Sequence, residues 1–183
     1  MTPQEWLLLL PQLPPTPSSL RVQVWRHLRA AGALGIHNGV WVLPRTPDHE
    51  RFLNHLLADV QAQGGNGLLF VASPLAGAVP ADIVARFQAE RGEDYVEFAG
   101  RCRDFRAEIA KETSQHNFTF AELEENEQDL QKLVGWLQKI QARDFFGGEQ
   151  AEQAERALAG CQQALDVFTR AVYTAAGLAP AGE

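Results

Sequence analysis

The stretch from Leu20 to Pro44, LRVQVWRHLRAAGALGIHNGVWVLP, restricts what this chain can fold into more than any other part of it. Leu20, Val24 and Leu28, with Trp25 beside them, recur at spacings of three and four. That is the period of a helix with one buried face, so these four residues are expected to point inward. Gly32 suits the C-terminal cap of this helix. Two short apolar runs follow, separated by Asn38-Gly39. Such a pair predicts a type I′ hairpin, because that turn needs φ > 0 at both central residues. Leu34, Ile36, Val40 and Val42 are expected to face inward, and Trp41 to pack on the opposite face of the sheet.

The flanks extend this pattern in both directions. Trp6 to Leu10 is an unbroken apolar run, WLLLL, as expected of a central strand covered on both faces or lying at a dimer seam. Four prolines fall between Pro11 and Pro17. Proline fixes φ and lacks a donor, so the segment is expected to be a stiff loop that cannot extend the sheet. Ser18 or Ser19 can cap the helix after it. Phe52, Leu53, Leu56, Leu57 and Val60 predict a second helix over 48–63, closed by GGNG, and Gly67 to Ala72 predicts a fourth strand. The resulting order, β-α-β-β-α-β, is the ferredoxin-like one. We assign this core to residues 1–76, with a boundary in SPLAGAVP (73–80).

Beyond Asp82 the periodicity is helical throughout. Ile83, Phe87, Tyr95, Phe98, Cys102, Phe105 and Ile109 form one stripe, weakened at Gly92. Leu123, Leu130, Leu133, Leu137 and Ile140 form a second, with Thr119 or Asn117 as its cap. Ala151, Ala154, Leu158, Cys161, Leu165, Phe168 and Val172 form a third at near-heptad spacing. The expected class is α+β: a ferredoxin-like core followed over 77–183 by an antiparallel helical bundle packed with it as one unit, ending in a frayed GLAPAGE tail.

Charge separates the same two halves. Residues 1–76 carry five Arg and no Lys against four acids, whereas residues 77–183 carry eleven basic and nineteen acidic residues. An acidic helical half is poorly suited to a phosphate backbone, so an anion-facing surface is expected in the first half. The two cysteines, Cys102 and Cys161, lie on apolar helix faces and read as reduced core thiols of a cytoplasmic protein. WLLLLPQL is too short to span a membrane and lacks signal-peptide flanks.

Arg21, Arg26 and Arg29 surround the start and exposed side of the first helix, where free N–H groups and the macrodipole favour anions. They are candidates for an oxyanion or phosphate site, against the plainer reading of a solvated face. In RFQAERGEDYVEF, Glu90 and Asp94 are four apart, as are Glu93 and Glu97. Such pairs could serve a metal or acid–base chemistry, or form a structural ion-pair layer with Arg86 and Arg91. Phe145 and Phe146 of RDFF are expected to plug a junction between sheet and bundle, with Arg143 and Asp144 in ion pairs. His27, His37, His49, His55 and His116 share no zinc spacing. There is no GxSxG, Walker A, CxxC or GxGxxG. No metal, no cofactor and no enzymatic activity is expected.

The pattern LP…SSLRVQVWRHLRAAGA…NGVWVLP, with RFQAERGEDYVEF and RDFF further on, resembles the ChrB family of bacterial chromate-resistance regulators over nearly all of residues 5–176. The core is also similar to PaaX-type repressors and to small CRISPR-associated ferredoxin-like nucleases, although the metal-binding Asp of those nucleases falls here in PQLPP, which has no carboxylate. The ChrB resemblance implies a chromate- or oxyanion-responsive regulator of transcription. Its basic positions fall on Arg21, Arg26, Arg29, Arg91 and Arg143. Chromate or sulfate as ligand, DNA as partner and a homodimer without membrane attachment are the corresponding expectations. The alternatives are a metal-dependent hydrolase using Glu90, Asp94 and Glu97, or a purely structural dimerisation module.

Overall fold

The computed structural model describes residues 5–16, 18–75 and 81–178; most of SPLAGAVP and of the GLAPAGE tail lies outside them. In chain order the elements are β1 (Trp6–Gln12), α1 (Ser18–Ala30), β2 (Leu34–His37), β3 (Val40–Pro44), α2 (Pro47–Ala62), β4 (Asn66–Ala72), α3 (Ala81–Ser114), α4 (Phe120–Gln141) and α5 (Glu149–Ala175). The class is α+β, with a four-stranded antiparallel sheet and a helical C-terminal part. The chain divides into two compact units: Met1–Ala89 with Arg143–Phe146, and Glu90–Ala142 with Gly147–Glu183.

In the first unit the strand order is β2-β3-β1-β4. β1 is therefore central, which explains its unbroken apolar run, because both of its faces are covered. Leu7, Leu9 and Leu43 pack under α1 and α2 with Leu20, Val24, Leu28, Leu53, Leu56 and Val60. On the other face Trp6, Leu34 and Val42 meet Phe87 from the first turns of α3. Trp41 lies on the helix-covered face with Leu43, opposite to Val42. Thr46 caps α2 by accepting the His49 N–H at 3.1 Å.

Three expectations need correcting here. β1 runs on through Pro11 to Gln12, pairing Pro11 with Gly67. Beyond Leu9 this strand has a neighbour on one side only, so the missing proline N–H breaks no ladder on the open side. The hairpin is not type I′: within the turn only Gly39 has positive φ (74°), and a bulge between Gly35 and His37 completes the reversal. Trp25 is 53% exposed rather than buried, since Leu20, Val24 and Leu28 already fill the inward arc of α1.

The second unit is built on one apolar core. Tyr95, Phe98, Cys102, Phe105 and Ile109 of α3 meet the stripes of α4 and α5, with Phe98, Ile140, Cys161 and Val172 fully buried. α3 passes through Gly92 without a break, and a Cβ there would lie 2.8 Å from the Gln150 side chain. Gly92 thus allows α3 and α5 to approach closely at this level. Thr119 caps α4 by accepting the Glu122 N–H at 3.2 Å. The stripe that reads as continuous along α3 serves two cores: Ile83 and Phe87 belong to the sheet, and Tyr95 onward to the helices.

Candidate anion-contacting face of the first helix

α1 contains no acidic residue, so none of its arginines can pair within the helix. Arg21 donates from Nη2 to the Pro15 carbonyl at 2.9 Å, which leans its side chain over the proline loop. Arg26 makes neither a hydrogen bond nor an ion pair among the described residues, and Arg29 sits in the last turn, where a cation complements the helix dipole. At 1.5 Å rise per residue, Arg21 and Arg29 stand about 12 Å apart along the axis. The three arginines are therefore rooted along a strip of the helix rather than at one point.

The half-exposed Trp25 completes that strip. It lies four residues from both Arg21 and Arg29, so all three share one row of the helix surface. Val22, 45% exposed, lies beside them. An exposed indole on the same helix row as two arginines pairs an apolar stacking face with planar donors, a combination suited to phosphates or to stacked bases. The spacing 21–25–29 is visible in the sequence and was the available clue to the Trp25 environment. On the neighbouring flank Ser19, Val22, Gln23, Arg26 and His27 line an open depression of about 490 Å³.

The other arginines of this unit are engaged in local structure. Arg45 bridges Glu5 at 2.8 Å and also holds Glu50, and these two carboxylates raise its pKa, Glu50 the more strongly. Arg51 pairs with Asp48, and Arg86 donates to the backbone carbonyls of Gly35 and Ile36. Arg143 is carried to the end of α1: its Cβ and carbonyl oxygen lie 3.0 and 3.1 Å from where a Cβ on Gly32 would stand. Phe145 and Phe146 pack in the same unit. The Phe145 ring meets His49 at 5.2 Å and Phe87 at 5.9 Å, while Phe146 stacks on Trp6 at 6.2 Å.

Arg91 belongs to the second unit. Its side chain is only 5% exposed and is held by Asp94 at 2.8 Å and Glu90 at 3.5 Å. Two of the candidate metal carboxylates, Glu90 and Asp94, are thus turned onto a buried guanidinium. Among the described residues no group of three or more His, Cys, Asp or Glu side chains is placed to hold a metal ion. The two cysteines are free thiols on adjacent helices, with Cys161 Sγ donating to the Cys102 carbonyl at 3.4 Å. Burial, reinforced by the neighbouring Cys161, pushes the Cys102 thiol up to about 12, which leaves it protonated and unreactive at neutral pH. No helix among the described residues is long and apolar enough to cross a membrane.

Comparison with known proteins adds two findings. The family model described as "Protein ChrB, N-terminal" matches residues 21–179. Protein ChrB of Cupriavidus metallidurans is 25% identical over 163 residues, which cover 89% of this chain and 47% of that protein. The chain thus spans about half the length of the curated relative it matches.

Proposed function

The chain belongs to the ChrB N-terminal family, and from that membership we propose that it is a regulatory module of chromate resistance that contacts DNA phosphates through the exposed face of α1. In this reading it is a binding module and not an enzyme. The observation that carries it is the acid-free α1, with Arg21, Arg26 and Arg29 displayed around a half-exposed Trp25. Arginines rooted along about 12 Å of helix suit the successive phosphates of a nucleic-acid strand better than a single small ion. The acidic second half would be repelled by the same polyanion, which leaves the first half as the contacting one. The order β-α-β-β-α-β and the strand sequence β2-β3-β1-β4 support reading the first unit as ferredoxin-like.

The test is the salt dependence of binding to a fluorescein-labelled DNA duplex, followed by anisotropy. Each phosphate contact contributes about 0.9 to the slope of log K against log salt. Arg21→Ala, Arg26→Ala and Arg29→Ala together should lower that slope by about 2–3, while Arg51→Ala, whose guanidinium already pairs with Asp48, should leave it unchanged. An unchanged slope in the triple variant would refute the assignment. The depression beside Arg26 and His27 favours a second role, an oxyanion that modulates this surface. Chromate at ~100-fold excess over its Kd should then stabilise the chain by about 2.7 kcal/mol, beyond any effect of sulfate or phosphate.

A further inference from the structure

We propose that two copies of this chain join edge to edge through β4, forming one continuous antiparallel sheet across a two-fold axis. The two edges of the sheet are built very differently. β2 is short, four residues, and is interrupted by the bulge between Gly35 and His37. Arg86 from α3 donates to the carbonyls of Gly35 and Ile36 and so occupies two acceptors that an incoming strand would need. A short, bulged and cation-capped edge is the usual protection against unwanted pairing.

β4 has none of these protections. It is seven residues long and pairs with β1 in unbroken register from Trp6↔Ala72 to Gln12↔Asn66. Its sequence, NGLLFVA, holds no charge, no proline and no bulge. Leu68, Phe70 and Val71 are 51%, 49% and 50% exposed. Its outward N–H and C=O groups form a regular ladder flanked by apolar side chains, the arrangement that recruits another strand.

Electrostatics leaves this edge as the place where a second copy can approach. The chain carries a net charge of −7, so two copies repel wherever their acidic surfaces meet. The β4 edge is a neutral strip. Leu57 of α2 lies over it, with Leu57 Cδ1 3.0 Å from where a Cβ on Gly67 would stand. Asn54 and Gln61, three residues before and four after Leu57, share its side of α2, and neither is charged. Antiparallel self-pairing is isologous, so each strand offers its copy the same ladder it receives. From Gly67 to Ala72 no polar side chain occurs, so apolar residues meet across the axis in any register.

The experiment is sedimentation equilibrium of the 183-residue chain and of its Phe70→Lys and Leu68→Lys variants, with circular dichroism to show that each variant folds. Both positions are half exposed in a single copy, so lysine there should leave the fold intact while placing cations against the joint. We expect a wild-type dimer and at least a tenfold weaker association in both variants. Hydrogen exchange of the wild type, which needs no variant, should show β4 amides losing protection on dilution while β2 amides do not. A monomer at every concentration reached, or a dimer insensitive to both lysines with concentration-independent exchange in β4, would overturn the proposal.

Discussion

Replacing Gly32 by alanine should destabilise the first unit well beyond the usual effect of a left-handed glycine. Gly32, Gly39 and Gly64 have nearly the same backbone conformation, with φ of 79°, 74° and 80°. A β-carbon in that conformation costs roughly 1–2 kcal/mol, and the entropy an alanine removes from the unfolded chain, about 0.4–1 kcal/mol, applies to all three alike. What differs is the space around them. Nothing lies within 4 Å of a Cβ at Gly39 or Gly64, whereas at Gly32 it would meet Arg143 Cβ at 3.0 Å, the Arg143 carbonyl at 3.1 Å and Phe145 Cζ at 3.1 Å. The phenyl tip can swing aside, but the carbonyl moves only with the backbone of 143–146. That backbone in turn positions Phe145 against His49 and Phe87. Overpacking of this kind typically costs about 1–3 kcal/mol. Gly39→Ala and Gly64→Ala should each lose about 1 kcal/mol in urea unfolding followed by tryptophan fluorescence, and Gly32→Ala about 2–4 kcal/mol. Loss at Gly32 within ~0.5 kcal/mol of the two controls would show that the 143–146 segment does not press on the end of α1.

Two further outcomes concern the helical unit. Phe98→Ala removes a fully buried ring in T-shaped contact with Trp136 at 5.5 Å and should cost about 3–5 kcal/mol in urea unfolding, with a changed Trp136 emission; a loss under ~1 kcal/mol would contradict its central place in that core. The raised pKa of Cys102 makes stability fall at alkaline pH. The folded state keeps the thiol protonated up to about 12, while the unfolded chain ionises near the ordinary value of 9.0. Stability from this group is therefore complete below pH 9.0 and declines as pH rises toward 12, at up to about 1.4 kcal/mol per pH unit. Cys102→Ala should flatten that part of the profile, and an identical slope in the variant would refute the assignment.

Much of this architecture is written in local periodicity. The apolar run of β1, the Asn38-Gly39 reversal, the cap at Thr119 and the stripe from Ala154 to Val172 each appear in the structure where their spacing places them. So does the acid-free, arginine-bearing face of α1, because composition along one helix needs no distant partner to be read. Spacing tells which side of an element is apolar, and that follows from the geometry of 2.0 and 3.6 residues per repeat.

What covers that side is set by residues far away in sequence. Trp25 stays out because three aliphatic side chains already fill the contact between α1 and the sheet. Pro11 is admitted to β1 because β3 pairs no further than Leu9, and that is a property of the neighbouring strand. The α3 stripe is shared between two cores, and the RDFF segment joins the sheet rather than the helices it separates, because ring packing on Trp6 and Phe87 decides its place. Arg91 and Arg26 look alike as letters beside helix charges. One is buried between carboxylates and the other stands in solvent, because burial depends on how densely other elements pack against a position, and local pattern carries no record of that.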